Sequence, residues 1–308
     1  MSLVRFLNGK SDKQKRYQEV IREFIPKTKE MRSFSNKQAF SKEYNLRVPY
    51  CLSVPQHSCI VGTAFDYLAR FMIAQLLEDQ DLKQSAIKGL ICERGLINLG
   101  ISVNKNDYQN LKVKYDKGIA IIKEFIYNKE KKLSTEIIEF SQFIAVLEHY
   151  ARSGVMPDDF FKFSPEITED LVKLTNVFNK IFIQNGMVKS NSNVIFNPHF
   201  GQISSAIGGA DADIFIDGVL YDFKTSKKNG YNWKEIAQIT SYYLFAEMSL
   251  DKGITNSCFK HTKDRIDKIA IYLARFGEVV YFETKNFTDE DKLKVKEKIW
   301  NLLINNKL

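Results

Sequence analysis

The segment that most restricts this chain is Gly208-Gly209-Ala210-Asp211-Ala212-Asp213-Ile214-Phe215-Ile216-Asp217-Gly218-Val219-Leu220-Tyr221-Asp222-Phe223-Lys224-Thr225. Asp217-Gly218 sits between two apolar, β-rich runs. A two-residue type I′ turn needs positive φ at both central positions, and Asp-Gly is among the few pairs that supply it cheaply. The turn sets the register. Ile216 falls opposite Val219, Phe215 opposite Leu220, Ile214 opposite Tyr221 and Asp213 opposite Asp222, with Asp211 further on against Lys224. Because strand side chains alternate, Asp211, Asp213, Asp222 and Lys224 are expected to leave the hairpin from one face.

That expectation carries chemistry. Directly opposed residues have Cβ atoms ~4.5–5.5 Å apart. Two carboxylates so close repel, and one is driven toward protonation unless a cation lies between them. A divalent ion with hard-oxygen preference resolves the conflict, and Mg²⁺ asks for only one or two carboxylates, water and substrate phosphate. An ammonium at Lys224 would orient metal-bound water and offset charge gathering on phosphorus. Two acids and a base on one face therefore suit metal-assisted phosphodiester hydrolysis. On these residues alone an ordinary hairpin with a polar, solvated face stays open, although the apolar run between the charges argues for a central strand.

The rest of the chain supplies a setting. Its 308 residues and 44% hydrophobic content allow a sizeable core. Helical periodicity dominates the first part, in 61–78, 108–131 and 134–152; a breaker at 153–157 precedes a helix opened by Ser164-Pro165-Glu166. From about residue 194 the period turns to alternation, in 194–196, 212–216, 219–225, 269–274 and 279–283. One helix over 233–249 interrupts these strands, and another follows Thr288 with Asp289, Glu290 and Asp291 in its first turn. The expected fold is α/β: a mixed β-sheet flanked by helices in residues 191–308, with a large helical N-terminal elaboration in residues 1–190 whose helix 61–78 packs on the core.

Charge and composition narrow the class further. The formal net charge of +8 favours a polyanionic partner through counterion release without requiring one. Cys51, Cys59, Cys92 and Cys258 form no CxxC pair and read as free, mostly buried thiols in a reducing compartment. No leader is evident at the start and no stretch approaches a membrane span, so the expected location is cytoplasmic, with no membrane partner.

The hairpin pattern resembles the PD-(D/E)XK nucleases, in their RecB-like branch. Gly209 stands four residues before Asp213, Asp222-Phe223-Lys224-Thr225 resembles the DxKT strand, and Gln238-Ile239-Thr240-Ser241-Tyr242 resembles the QxxxY helix motif that follows it. Gln238 and Tyr242, one helical turn apart, share a face beside the apolar stripe of Ile236, Ile239, Tyr243 and Ala246. Upstream, Gly62-Thr63-Ala64-Phe65-Asp66-Tyr67-Leu68 resembles the family's GTxxHxxL helix, with Asp66 in place of the usual His.

The resemblance implies a nuclease-like core and a nuclease needing Mg²⁺ or Mn²⁺. Asp213, Asp222 and the carbonyl of Phe223 would hold metal, Lys224 would position water, and Gln238 and Tyr242 would orient the site. Asp66 is either a further ligand or the ion-pair partner of Arg70 one turn on. His199, in the loop before the hairpin, is a weaker candidate for catalysis. The four cysteines do not reproduce the iron–sulfur cluster of some relatives, so no cluster is expected. The implied substrate is nucleic acid, DNA in the first instance, cut by an exonuclease. The alternatives are a site-specific endonuclease of a restriction or phage-defence system, with its recognition region within 104–185, or an inactive nucleic-acid-binding module.

Overall fold

In the computed structural model, which describes residues 3–155 and 163–305, the chain opens with helices α1 (Leu3–Asn8) and α2 (Asp12–Phe24) and a short strand β1 (Arg32–Ser33). Helices α3 (His57–Leu76), α4 (Gln80–Ser85), α5 (Ile91–Ser102), α6 (Lys105–Tyr127), α7 (Thr135–Ser153) and α8 (Pro165–Phe178) follow. Strand β2 (Val194–Phe196) and the short α9 (Gln202–Ala206) lead into the hairpin of β3 (Ile214–Ile216) and β4 (Val219–Lys224). The chain closes with α10 (Trp233–Asp251), β5 (Lys268–Leu273), β6 (Glu278–Glu283) and α11 (Asp289–Leu303).

Local chemistry explains most helix boundaries. The Asn104, Ser134 and Thr288 side chains cap α6, α7 and α11 by accepting first-turn backbone N–H groups. Pro165 starts α8 where its missing N–H costs nothing, and Gly154 ends α7 at φ 71°. Met156 and Pro157, the end of the breaker read from the sequence, lie outside the described residues. Helix α2, hidden in a strongly basic stretch, is fixed by a capping box between Ser11 and Gln14 and by Tyr17 and Ile21, both buried.

The six strands make one mixed sheet in the order β1-β6-β5-β4-β3-β2. Only β4 and β5 are parallel, and α10 provides the crossover between them. Alternation along the central strands sorts side chains into two cores. Tyr221, Phe223, Ala270 and Tyr272 face α3 and α5–α8, whereas Leu220, Ile269, Ile271 and Val280 face α1, α2, α10 and α11. Helices thus cover both faces, as the mixed α/β expectation required. The N-terminal region also contributes the sheet's edge strand β1, which periodicity could not reveal in two residues.

Asp217 and Gly218 adopt φ 44° and 83°, and the β3–β4 ladder pairs Ile214 with Tyr221, Phe215 with Leu220 and Ile216 with Val219. A Cβ at 218 would also lie 2.7 Å from Asp267 Oδ2, so that carboxylate would have to shift to admit one. The expected strand over 212–216 is shorter, because the ladder stops at Ile214.

Two sequence expectations need correction. Helix α3 is long and apolar enough, by length and composition, to cross a membrane. Its Val61, Phe65, Leu68, Phe71 and Ile73 are fully buried in the core against α6–α8 and the sheet, which accounts for that apolarity. The cysteines are not mostly buried: Cys51 and Cys59 are exposed, Cys258 is half-buried and only Cys92 is enclosed.

One buried ion pair joins the layers at the end of the central strands. Arg275 donates to both carboxylate oxygens of Asp170 on α8, at 2.7 and 2.6 Å, and its Nε donates to the Thr225 carbonyl at 2.6 Å. Both side chains are almost wholly enclosed. Removing one partner of such a pair strands the other charge and costs about 3–5 kcal/mol. Asp170→Asn should therefore lower the urea midpoint by that equivalent without changing the denaturant slope, and a midpoint equal to wild type would contradict the role given to this pair.

Candidate functional site

Beyond Leu220, the residues of β4 on the α10 face are Asp222 and Lys224. Asp222 is 1% exposed, and the Lys224 ammonium lies 2.5 Å from its Oδ2. Lys224 Nζ also donates to Gln238 Oε1 at 3.2 Å, and Gln238 Nε2 donates to the Tyr242 hydroxyl at 3.1 Å. Tyr242 is buried and stacks on Phe200. The single helical turn between Gln238 and Tyr242 thus becomes a polar relay ending on the lysine.

Asp213 reaches the same place from the strand before. It is the first residue past the last β3–β4 ladder pair, and its Oδ2 accepts the Phe223 N–H at 2.6 Å. A carboxylate has taken a position that a strand carbonyl would otherwise hold. Phe223 presents its ring to Phe65, Phe178, Phe182 and Tyr272 in the opposite core, so any role of this residue at the site falls to its backbone.

Asp66 arrives from the other layer. Phe65 packs on Phe223 and Tyr272, and Gly62 lies so near the end of β4 that an added Cβ would sit 3.5 Å from Thr225 Oγ1. Helix α3 therefore passes the C-terminal end of β4 and brings Asp66 within electrostatic reach of Asp213 and Asp222. Asp66 Oδ1 is buried without a hydrogen-bond partner. The alternative pairing with Arg70 is not formed: Arg70 lies over the Tyr67 ring, 5.5 Å from its centroid, and its Nε is also unpartnered.

The electrostatics follow from this crowding. Burial, then the charge on Asp222, pushes Asp213 up to about 7, against the pull of Lys224 and the Phe223 N–H. Burial, then Asp213 and Asp222, holds Asp66 well above the ordinary carboxylate range. Burial would lower the Lys224 ammonium, but Asp222 and Asp213 outweigh it, so the lysine is held in its charged form. Three carboxyls share one ammonium.

Among the described residues, no three His, Cys, Asp or Glu side chains close around one point as a finished ion site. The donor set instead fits an open one. It offers hard oxygens from Asp213, Asp222 and Asp66, with Asp66 Oδ1 buried and without a hydrogen-bond partner.

Two other candidates lie elsewhere. Asp211 does not continue the hairpin register to Lys224, because the ladder ends once the Asp213 side chain takes the Phe223 N–H. It forms a bridge with His199 instead. His199 in turn sits against Cys258, whose contact pushes the imidazole up.

Two acidic residues near the site escaped the sequence reading. Glu235, on α10 one turn before Gln238, feels both Lys224 and Asp222, and its helical spacing was the available signal. Glu148 on α7 accepts from the Tyr67 hydroxyl at 2.5 Å and Arg152 Nε at 2.7 Å, and lies within electrostatic reach of Asp66. Only the packing of α7 on α3 brings it there. Compared with known protein families, curated proteins and solved structures, the chain matches none.

Asp213 binds its proton more tightly folded than unfolded. Its stabilising contribution is therefore fully present below the ordinary value of 3.8 and is lost as pH rises through about 7. In metal-free protein, the unfolding free energy of wild type relative to Asp213→Asn should fall across this window. A difference that stays flat or rises with pH would contradict the crowding described.

Proposed function

We propose that the protein is a divalent-metal-dependent nuclease of the PD-(D/E)XK kind, hydrolysing phosphodiester bonds in DNA and working from an end. The observation that carries this reading is the buried Asp222–Lys224 contact beside Asp213, with Gln238 holding the same ammonium. The exonuclease assignment rests on the resemblance of residues 62–68 and 208–242 to the RecB-like branch. The choice of a polyanionic substrate is supported by the net charge of +8.

Asp213, Asp222 and the Phe223 carbonyl would hold Mg²⁺ or Mn²⁺, with Asp66 as a further oxygen donor. Bound there, the ion would supply Lewis acidity toward the phosphoryl oxygen and a more acidic water. The remaining roles belong to the chain. Lys224, kept charged by its carboxylate neighbours, orients the attacking water and offsets the negative charge that grows on phosphorus. Gln238 restrains the ammonium and Tyr242 restrains Gln238, so the lysine is aimed before substrate arrives. The water oxygen forms the new bond to phosphorus as the ester bond to the leaving oxygen breaks; the attacking water gives up a proton to solvent and the leaving oxygen takes one from solvent, giving a phosphate monoester and an alcohol.

Digestion of linear and covalently closed circular DNA with Mg²⁺, Mn²⁺ or EDTA tests the reading. Linear DNA should be degraded with either metal and spared in EDTA, while cutting of closed circles would assign the protein as an endonuclease. Lys224→Ala and Asp213→Asn should each lower turnover by ~10²–10³ while DNA binding survives. Gln238→Ala should lower turnover less, with an unchanged melting temperature. Inertness of wild type on every DNA and RNA substrate would move the assignment to a binding module, and undiminished cleavage by Lys224→Ala would move the chemistry elsewhere.

A further inference from the structure

A cleft of about 540 Å³ opens beside the carboxylate cluster, and the proposed reaction gives it no role. Its walls bring Arg5 from α1, Arg94 from α5, and His149 and Arg152 from α7 around Gly209 and Asp211. Three arginines and one aspartate thus line the same cleft. Arg152 and Arg94 are both exposed, and Arg152 is partly engaged by Glu148, at 2.7 Å. Arg152 and Arg94 both act on Asp211 electrostatically. A backbone hydrogen bond of 2.9 Å from Leu3 N to the Gly209 carbonyl fastens α1 to the segment that enters β3, so the position of Arg5 is coupled to the hairpin.

The cleft and the carboxylate cluster share a wall. Asp211 lines the cleft and is two residues from Asp213, a separation of at most ~7 Å along extended chain. That is on the order of the spacing between neighbouring phosphates along one strand. Glu148 lies electrostatically between the two regions, acting on both Asp66 and Asp211. The positive cleft is therefore at the right remove for phosphates next to one held at Asp213 and Asp222. The carboxylate cluster alone would repel a nucleic-acid backbone, and a flanking cationic cleft supplies the missing attraction.

We infer that this cleft seats the backbone phosphates of a nucleic-acid strand immediately flanking the scissile one, with Arg94 as one of its exposed contacts. The inference rests on the reading of the neighbouring cluster as a phosphodiester-hydrolysing site, but binding in the cleft needs neither metal nor turnover.

The test is fluorescence anisotropy of a short labelled oligothymidylate with full-length protein in EDTA, over a range of salt concentrations. Arg94→Ala, on an exposed helix face, should weaken binding several-fold and lower the salt slope by about one. Arg94→Glu should weaken it further, and Lys298→Ala, on α11 across the sheet, should leave it unchanged. Arg94→Glu binding with wild-type affinity and slope would overturn the assignment, as would a wild type that fails to bind the oligothymidylate. Each nuclease outcome remains separate. Cleavage with Arg94-independent binding removes the cleft and spares the catalytic reading; Arg94-dependent binding by a wild type that never cleaves removes the catalytic reading and spares the cleft.

Discussion

Three carboxyls and one ammonium meet at the end of the central strand β4, largely out of water. The charge on Asp222 raises the cost of ionising Asp213, both raise that of Asp66, and Lys224 answers only part of it. Such a cluster has two ways to become neutral: it binds protons, or it binds a cation. A fold that served stability alone would gain by replacing these groups with apolar side chains of similar size, since the surrounding layers are already closely packed. The proposed oxygen-donor site for a divalent ion would account for their meeting at one point.

The architecture delivers these groups from separate elements. The Asp-Gly turn sets the β3–β4 register and carries Asp213 to the level of Phe223. The parallel pairing of β4 with β5 requires a crossover, and α10, which makes it, brings Gln238 and Tyr242 over Lys224. Helix α3, wedged by Phe65 into the aromatic cluster on the other face, brings Asp66. Arg275 fixes the exit of β4 by holding the Thr225 carbonyl while paired with Asp170. Four supports from separate parts of the chain thus converge on one site.

Local rules explain what could be read from the sequence. The hairpin register was legible because two residues fix it and every side chain then follows by alternation. The Gln238–Tyr242 contact was legible because helical spacing makes residues four apart neighbours. Where side-chain chemistry interrupts a local rule, the reading failed. Asp211 was expected opposite Lys224, but the Asp213 carboxylate ends the ladder and Asp211 turns to His199. Of the two roles left open for Asp66, the pairing with Arg70 is not formed, because Arg70 packs over Tyr67. Glu148, β1 and the basic cleft depend on contacts between distant segments and leave no periodic trace.

The central claim is that the cluster binds a divalent cation in place of protons. Calorimetric titration of Mn²⁺ into metal-free protein at pH 6, in two buffers of different ionisation enthalpy, measures the affinity and the protons released together. The account predicts binding with net proton release, since Asp213 is largely protonated at that pH, and loss of both signals in Asp213→Asn. Absence of binding, or binding that is indifferent to Asp213 and releases no proton, would contradict it.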